Sequence, residues 1–379
     1  MKSVKYGMSI LLFSLLPLLS NGQSTVWDYQ LIVELKNQYN HPDKASIINK
    51  DNRMKIDKLS SLTELYPVVT AGNDWGGLLN TLQAEGNLTN YNFDKDSVRF
   101  TFRELYTRFS WKGSHHWTVG KKRLDWGTGM LWNPTNFYIQ KDPFRTQNRL
   151  EGIFQLNYTC LFTTGSLDVY VFPGKKAEDF SYSLKYNYTG KRIDASVSFL
   201  EYTRYQQIGY DISYGGDRFI TYAEGVFRNY SKSYRVGKEG ELIPPRNRAA
   251  RFYPEIVSGV SYAFNASLGA RLEYRFREDF LSREEVADFK KYLPQNSIIY
   301  DPVSIGKHTL YASAEIKDIY DRLNMQVRTF FDLFSNQLIV SPLFVWKKNN
   351  FQIELSSMIF ANSLAVFDSQ TALLLSCHF

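Results

Sequence analysis

Apolar and polar residues alternate along most of this chain with a period of two. In residues 180–189, aromatic or apolar side chains occupy every second position and polar side chains occupy the positions between them. A turn at residues 189–191 follows, and residues 193–199 repeat the pattern. Successive side chains of a strand point to opposite faces, so this pattern predicts a hairpin with one apolar and one polar face.

The same alternation predicts sixteen strands, in a chain with very little helical periodicity. The acid-rich run at residues 283–288 is the exception and predicts a short surface helix. The predicted strands cover residues 75–90, 98–112, 116–127, 151–164, 166–173, 178–189, 192–203, 207–215, 218–229, 253–265, 267–278, 307–318, 323–335, 337–348, 351–360 and 368–379.

The connections between these strands sort into two alternating sets. One set is short throughout, as at residues 112–115, 189–191 and 348–350. The other set holds every long connection: 128–150, 230–252 and 279–306. Short turns at one end and long loops at the other are typical of outer-membrane barrels, whereas a soluble sandwich has no reason to sort its loops. The sequence therefore predicts an all-β, transmembrane antiparallel up-and-down β-barrel of about sixteen strands, with fourteen or eighteen as alternatives.

The two ends of the chain carry separate signals. Residues 1–22 have two lysines before an apolar run at 8–19 and small residues before residue 23, which predicts a secretory signal peptide. Residues 23–74 are a periplasmic extension, an internal plug or the first two strands, because 27–35 and part of 54–69 could each be a strand. Residues 75–379 are the predicted barrel.

The last predicted strand ends in an aromatic residue. Leu373, Leu375 and Phe379 lie on its apolar face. A terminal aromatic preceded by alternating apolar residues resembles the C-terminal signal that the barrel-assembly machinery reads during biogenesis. The alternative is an ordinary amphipathic strand that ends in Phe.

Composition narrows the class further. Hydrophobic residues make up 44% of the chain and the mean hydropathy is −0.34, which argues against a helical membrane protein with repeated apolar spans. The 26 Tyr and 27 Phe argue against disorder. With only two cysteines, a disulfide framework is excluded.

One segment, residues 98–144, contains a motif that resembles a known family. Residues 120–127 read G-K-K-R-L-D-W-G, and residues 131–135 read L-W-N-P-T. This resembles a group of Gram-negative porin-like outer-membrane proteins in which a strand G-[RK]-Q-x-[IL]-x-W-G precedes a loop containing N-P. Alginate-export-type barrels are in that group. The match departs at Lys122, where Gln is usual. The resemblance implies an outer-membrane location and a barrel architecture.

The apolar parity of this segment switches at Gly120 and again near Glu104, as it would at β-bulges. Leu124 and Trp126 are then expected on the apolar, lipid-facing side. Two adjacent bulged strands would turn six charged residues into the lumen as one cluster. This cluster is interpreted as a constriction that selects solutes, as a self-neutralising network that braces the wall, or as both. Its predicted members are Arg103, Glu104, Arg108, Lys121, Arg123 and Asp125.

The loop at residues 128–150 mixes aromatic and basic side chains and is too apolar to lie free in solvent. We expect it to fold into the barrel mouth and set the aperture, with its rings either packed on the rim or stacked on sugar rings. The residues expected to do this are Trp132, Asn133, Pro134, Phe137 and Tyr138.

No catalytic, cofactor or metal site is predicted. His115 and His116 lack a cysteine or carboxylate at ligand spacing, and no serine motif accompanies the other histidines. Basic residues are spread along the chain, so no nucleic-acid partner is expected. Bases at inward positions outnumber acids, which predicts a lumen that favours anions.

These patterns together predict an outer-membrane channel for passive diffusion of small hydrophilic solutes, anionic or sugar-like. Its expected partners are outer-membrane lipid, the barrel-assembly machinery and the solutes, and an oligomer is left open. The alternatives are a barrel for polysaccharide export or surface assembly, and a closed structural barrel without transport. We expect no enzymatic activity.

Overall fold

The computed structural model describes residues 26–42, 57–75, 78–92, 98–137, 151–174, 179–202, 205–231, 235–236, 242–243, 251–292, 306–361 and 367–378. The strands and the helix are β1 (Val26–Pro42), β2 (Leu59–Trp75), β3 (Leu78–Tyr91), β4 (Arg99–Trp111), β5 (His115–Lys122), β6 (Ile153–Phe162), β7 (Gly165–Phe172), β8 (Ser181–Thr189), β9 (Ile193–Tyr202), β10 (Tyr205–Gly215), β11 (Phe219–Arg228), β12 (Arg235–Val236), β13 (Leu242–Ile243), β14 (Tyr253–Ala263), β15 (Leu268–Arg277), α1 (Arg283–Tyr292), β16 (His308–Ile319), β17 (Leu323–Asp332), β18 (Gln337–Lys348), β19 (Phe351–Ala361) and β20 (Phe367–His378).

Eighteen of these strands form one closed antiparallel sheet, and β12 and β13 form a separate small hairpin. Closure follows from β1, which pairs with β2 on one side and with β20 on the other. The prediction of sixteen strands was therefore too low, and the eighteen-strand alternative is the correct one. The two additional strands, β1 and β2, come from the segment 23–74.

Three predictions lie outside the described residues: the signal peptide at 1–22, Tyr138 of the aperture loop and the terminal Phe379. Among the residues that are described, no helix has the length and apolar character needed to span a bilayer.

Burial in the strands is the reverse of burial in a soluble protein. On β8, Ser181 and Ser183 are 0% and 3% exposed, whereas Tyr182 and Leu184 are 54% and 47% exposed. The apolar side chains point outward and the polar ones face the interior of the barrel. An apolar outer band around a polar interior is the arrangement of a barrel that spans a lipid bilayer.

The predicted sorting of connections is present. At one end the strands are joined by tight turns such as Lys112 (φ 51°) and Gly113 (φ 67°), which use the left-handed backbone that hairpin turns require. At the other end lie the long connections 123–152, 229–252 and 278–307. The last of these contains α1, which covers the predicted helix and begins with a capping box between Ser282 and Glu285.

The chain leaves the wall after Lys122, so β5 is shorter than the strand predicted at residues 116–127. Residues 123–137, which we call the lumen loop, continue inside the barrel. Leu124 and Trp126 are buried there with Phe172 and Leu200, which lie on inward positions of β7 and β9. The prediction that Leu124 and Trp126 face lipid was wrong, because it assumed that the strand alternation continues past Lys122.

The outward face can be tested with a charge placed in the lipid band. We expect Leu184→Arg, near the middle of β8, to lower the free energy of unfolding by about 2–4 kcal/mol, because a buried cation in hydrocarbon is costly. The matched variant Tyr188→Arg, next to the turn, should cost at most about 1 kcal/mol. Urea unfolding of the protein folded in lipid vesicles measures both. Equal costs at the two positions would contradict a bilayer-spanning wall.

Candidate functional site

A buried carboxylate on β11, Glu224, holds the lumen loop against the wall. It accepts hydrogen bonds from the backbone N–H groups of Thr128 (2.9 Å), Gly129 (2.9 Å) and Thr135 (2.8 Å). The hydroxyl of Thr135 donates a fourth hydrogen bond to it at 2.6 Å. One side chain of the wall thus satisfies donors from both arms of the loop.

A second buried carboxylate, Glu273 on β15, holds the tip of the loop. It accepts from the backbone N–H groups of Met130 (2.9 Å), Leu131 (3.3 Å) and Trp132 (2.9 Å). The hydroxyl of Tyr222 also donates to Glu273. Three successive N–H groups that converge on one anion form a backbone nest, a recognised anion-binding geometry.

Glycines make room for these carboxylates. Gly127 has φ 87°, and a Cβ atom there would overlap the carboxylate of Glu224. Gly259 on β14 lies under the ring of Tyr222, where a Cβ atom would overlap the phenol. The W-G step of the sequence motif is therefore a requirement of loop docking, because only glycine tolerates both the backbone angle and the close approach.

Aromatic rings and one amide complete the docking. Trp126 lies edge-on to Tyr170 at 5.1 Å between ring centroids, and Trp132 lies edge-on to Phe330 at 5.7 Å. The side-chain amide of Asn133 donates to the carbonyl oxygen of Trp126 at 3.0 Å. Contacts of the loop run along the wall from β7 to β17, so the loop lines one side of the lumen.

Two further residues of the predicted aperture set also contact the wall. Pro134 is buried, and its carbonyl oxygen accepts a hydrogen bond from Gln207 on β10 at 3.5 Å. Phe137 packs against Tyr202 at 5.6 Å and Tyr230 at 5.8 Å. The described rings contact the wall, as expected if they stabilise the loop.

Half of the predicted charge cluster comes together. Arg123 forms ion pairs with Glu104 (2.8 Å) and Glu85 (3.0 Å), and Arg103 lies 3.4 Å from Glu85. The predicted bulge in β4 is present, because the register with β3 shifts between Glu85 and Gly86. Glu85, which the sequence analysis did not single out, neutralises the arginines of this group.

The other three predicted members lie apart. Arg108 is exposed on the lumen face of β4 and makes no ion pair or hydrogen bond with any residue the structure describes. Lys121 is on the outward side of β5 and binds Glu151 and the carbonyl oxygen of Phe102. Asp125 is exposed on the lumen loop.

The bulge predicted in β5 was wrong. The register of β5 with β4 and with β6 is continuous through Gly120, although this residue has φ 124°. A Cβ atom there would overlap the carbonyl oxygen of Leu105, so glycine is needed for close strand packing. The apolar–polar alternation changes phase in this part of the sequence because the chain leaves the wall here.

A second charged network lies where β11, β14 and β15 reach the long loops. Arg228 is fully buried and pairs with Glu255 (2.7 Å) and Asp279 (3.3 Å). Arg275 also binds Glu255, and Arg277 binds Asp279 at 2.9 Å. Burial raises the pKa of the Asp279 carboxyl, but Arg277 and Arg228 outweigh that effect and hold it at about 2. Inward bases predicted to bias the lumen are thus partly neutralised by acids.

Neither Glu224 nor Glu273 was among the predicted site residues. A usable signal was present: each is a carboxylate at an inward position within a strand, between apolar neighbours. A buried carboxylate needs hydrogen-bond donors. The glycine-containing segment 127–132 connects the two parts of the family motif and carries such donors on its backbone. No pattern within the strands themselves indicates which acids that segment meets.

The roles of Glu224 and Glu273 in holding the lumen loop can be tested separately. Glu224→Gln replaces one acceptor oxygen by a donor, so exchange of the amides of residues 128, 129 and 135 should speed up at least about fivefold, as expected for the loss of one buried hydrogen bond. Glu273→Gln should affect residues 130–132 instead. Residue-resolved hydrogen–deuterium exchange measures both, and each variant is the control for the other. Identical exchange patterns in the two variants would contradict separate anchors.

Gly127→Ala tests the close approach of the loop to Glu224. Gly113→Ala is the matched control, because Gly113 also has a positive φ but no heavy atom lies within 4 Å of the point where its Cβ would stand. We expect the control to lose about 1 kcal/mol from backbone strain alone. Gly127→Ala should lose more, and it should release the amides that Glu224→Gln releases. Equal losses in urea unfolding would show that the contact with Glu224 is unimportant.

Comparisons with known proteins give the fold. No family model matches this sequence, and no curated protein matches it. Among solved structures, Pseudomonas aeruginosa OccK5 (OpdH) has a TM-score of 0.57 at 11% identity, over 93% of this chain and 98% of that one. Pseudomonas aeruginosa OccD3 (OpdP) gives 0.59 at 9% identity, over 95% and 93%. A mutant of the Rh. blastica porin gives 0.51 at 8% identity, over 93% and 100%. The chain thus has the fold of porins.

Proposed function

We propose that this protein is an outer-membrane channel for the passive diffusion of small hydrophilic solutes. The observation that carries the proposal is the lumen loop, bound along the inner wall by Glu224 and Glu273. A loop fixed at one depth narrows a water-filled barrel at that depth and leaves solutes to pass beside it. The loop then sets the aperture, and its rings serve to hold it in place.

The proposed location rests on three observations. The outward side chains of the strands are apolar, as on Tyr182 and Leu184 of β8. The fold is that of porins from Gram-negative bacteria. The motif at residues 120–135 resembles outer-membrane porin-like proteins. We propose export by the N-terminal signal peptide and insertion by the barrel-assembly machinery, with Leu373, Leu375 and Phe379 as the signal that this machinery reads.

Within the predicted cluster, we propose Arg108 as the residue that sets selectivity. Arg103 and Arg123 face Glu85 and Glu104, so their field is largely cancelled. Arg108 has no such partner among the described residues and faces the lumen. Lys122 lies near it on the same face, with its ammonium 5.2 Å from the ring centroid of Tyr106. A positive potential in a narrow aqueous passage favours anions.

Planar-bilayer recording of the refolded protein under a salt gradient tests the proposal. We expect steady openings with an anion-selective reversal potential. Arg108→Glu should shift that potential toward cation selectivity, because it reverses a charge on the lumen face. Lys121→Glu makes the same change in charge on the outward face and should leave the potential near that of the parent protein. An inserted but silent barrel would overturn passive diffusion and favour a closed structural role.

The motif resemblance favours polysaccharide export as a second candidate function, because alginate-export-type barrels share it. That function requires an extended charged chain to occupy the lumen. Addition of acidic oligosaccharides to one side of the bilayer then produces long current blocks, whereas neutral oligosaccharides of equal length do not. Equal blocking by both would remove this candidate.

A further inference from the structure

Arg275 contacts two aromatic rings that belong to different connections. Its guanidinium carbon lies 5.5 Å from the ring centroid of Trp132, at the tip of the lumen loop. It also lies 5.4 Å from the ring centroid of Phe280, just beyond the end of β15. Both distances are within the range of cation–π attraction, which is stronger for groups shielded from water. Arg275 is therefore a shared contact of two segments that are remote in sequence.

The orientation of Arg275 is set by the wall. Its guanidinium binds Glu255 on β14 at 2.7 Å through both Nε and Nη2. A planar guanidinium bound through two nitrogens to a carboxylate has a defined plane, and its faces remain available for rings. Lysine in this position would keep the charge and lose the plane.

The segment that carries Phe280 is itself bound to the same network. We call residues 278–292 the mouth segment, because they follow β15 at the end of the barrel with the long loops. Asp279 binds Arg228 and Arg277, and the Arg277 guanidinium carbon lies 3.5 Å from the ring centroid of Phe280. Leu281 and Phe289 are 1% and 0% exposed, so the segment is packed rather than free.

We propose that Arg275 is a positioning residue that couples the mouth segment to the tip of the lumen loop. When Phe280 is in place, the guanidinium plane is held on Trp132, and the backbone N–H groups of residues 130–132 stay on Glu273. Displacement of the mouth segment removes one of the two ring contacts of Arg275 and loosens the tip. The aperture thereby responds to the state of the mouth, a role that rests on the proposed function of the lumen loop as the aperture.

Hydrogen–deuterium exchange of the protein in lipid nanodiscs tests the coupling whether or not the barrel conducts. Phe280→Leu keeps an apolar side chain and removes the ring. We expect the amides of residues 130–132 to exchange at least about fivefold faster, the change that the loss of one shielded cation–π contact predicts. The matched control is Phe264→Leu, a ring in the turn between β14 and β15 at the opposite end of the barrel, where it contacts Tyr262. It should leave residues 130–132 unchanged.

The variant Arg275→Lys tests whether the guanidinium of Arg275 transmits the effect of Phe280 to residues 130–132. In that background Phe280→Leu should produce no further acceleration, because the guanidinium plane is already gone. Unchanged exchange at 130–132 in Phe280→Leu, with β15 still protected, would overturn the proposal. Full additivity of the two substitutions would also overturn it. A silent bilayer recording together with coupled exchange would overturn the channel function and support the coupling. Steady currents together with uncoupled exchange would support the channel function and overturn the coupling.

Discussion

A backbone segment inside a barrel carries N–H groups that the sheet no longer satisfies. In the lumen loop, six such groups, those of residues 128–132 and 135, are accepted by the carboxylates of Glu224 and Glu273. Two glycines make room for this interaction. Gly127 admits one carboxylate, and Tyr222 over Gly259 fixes the other.

Carboxylates suit this task better than carbonyl groups. Each offers two oxygens and about four lone-pair positions, so one side chain can accept several donors from a turning backbone. The negative charge strengthens each hydrogen bond, and the donors in turn stabilise a charge that burial alone would penalise. Asp332 repeats the arrangement at the end of β17, where it accepts the N–H groups of Gly306, Phe334 and Ser335.

The sequence predicts features that act over about ten residues and misses those that join distant strands. Alternation and turns predict sixteen barrel strands, and β1 and β2 were among the alternatives. The contact between Glu224 and Thr128 joins residues 96 positions apart, so no local pattern contains it. The alternation of apolar and polar residues also stops indicating the face of a side chain where the chain leaves the wall. For this reason Leu124 and Trp126 were predicted on the wrong face. Of the predicted charged residues, Arg103 lies inside the barrel because a bulge turns it inward, whereas Lys121 lies outside because β5 continues without a bulge.

The alternation seen on β8 has a consequence before the barrel exists. A strand with an apolar residue at every second position never supplies the roughly 20 successive apolar residues that lodge in a membrane as a helix. The sequence as a whole is polar, with a mean hydropathy of −0.34, although the paired strands present an apolar surface. It can therefore pass through one membrane as an extended polypeptide and become insoluble in water only when closure gathers its apolar side chains on one surface.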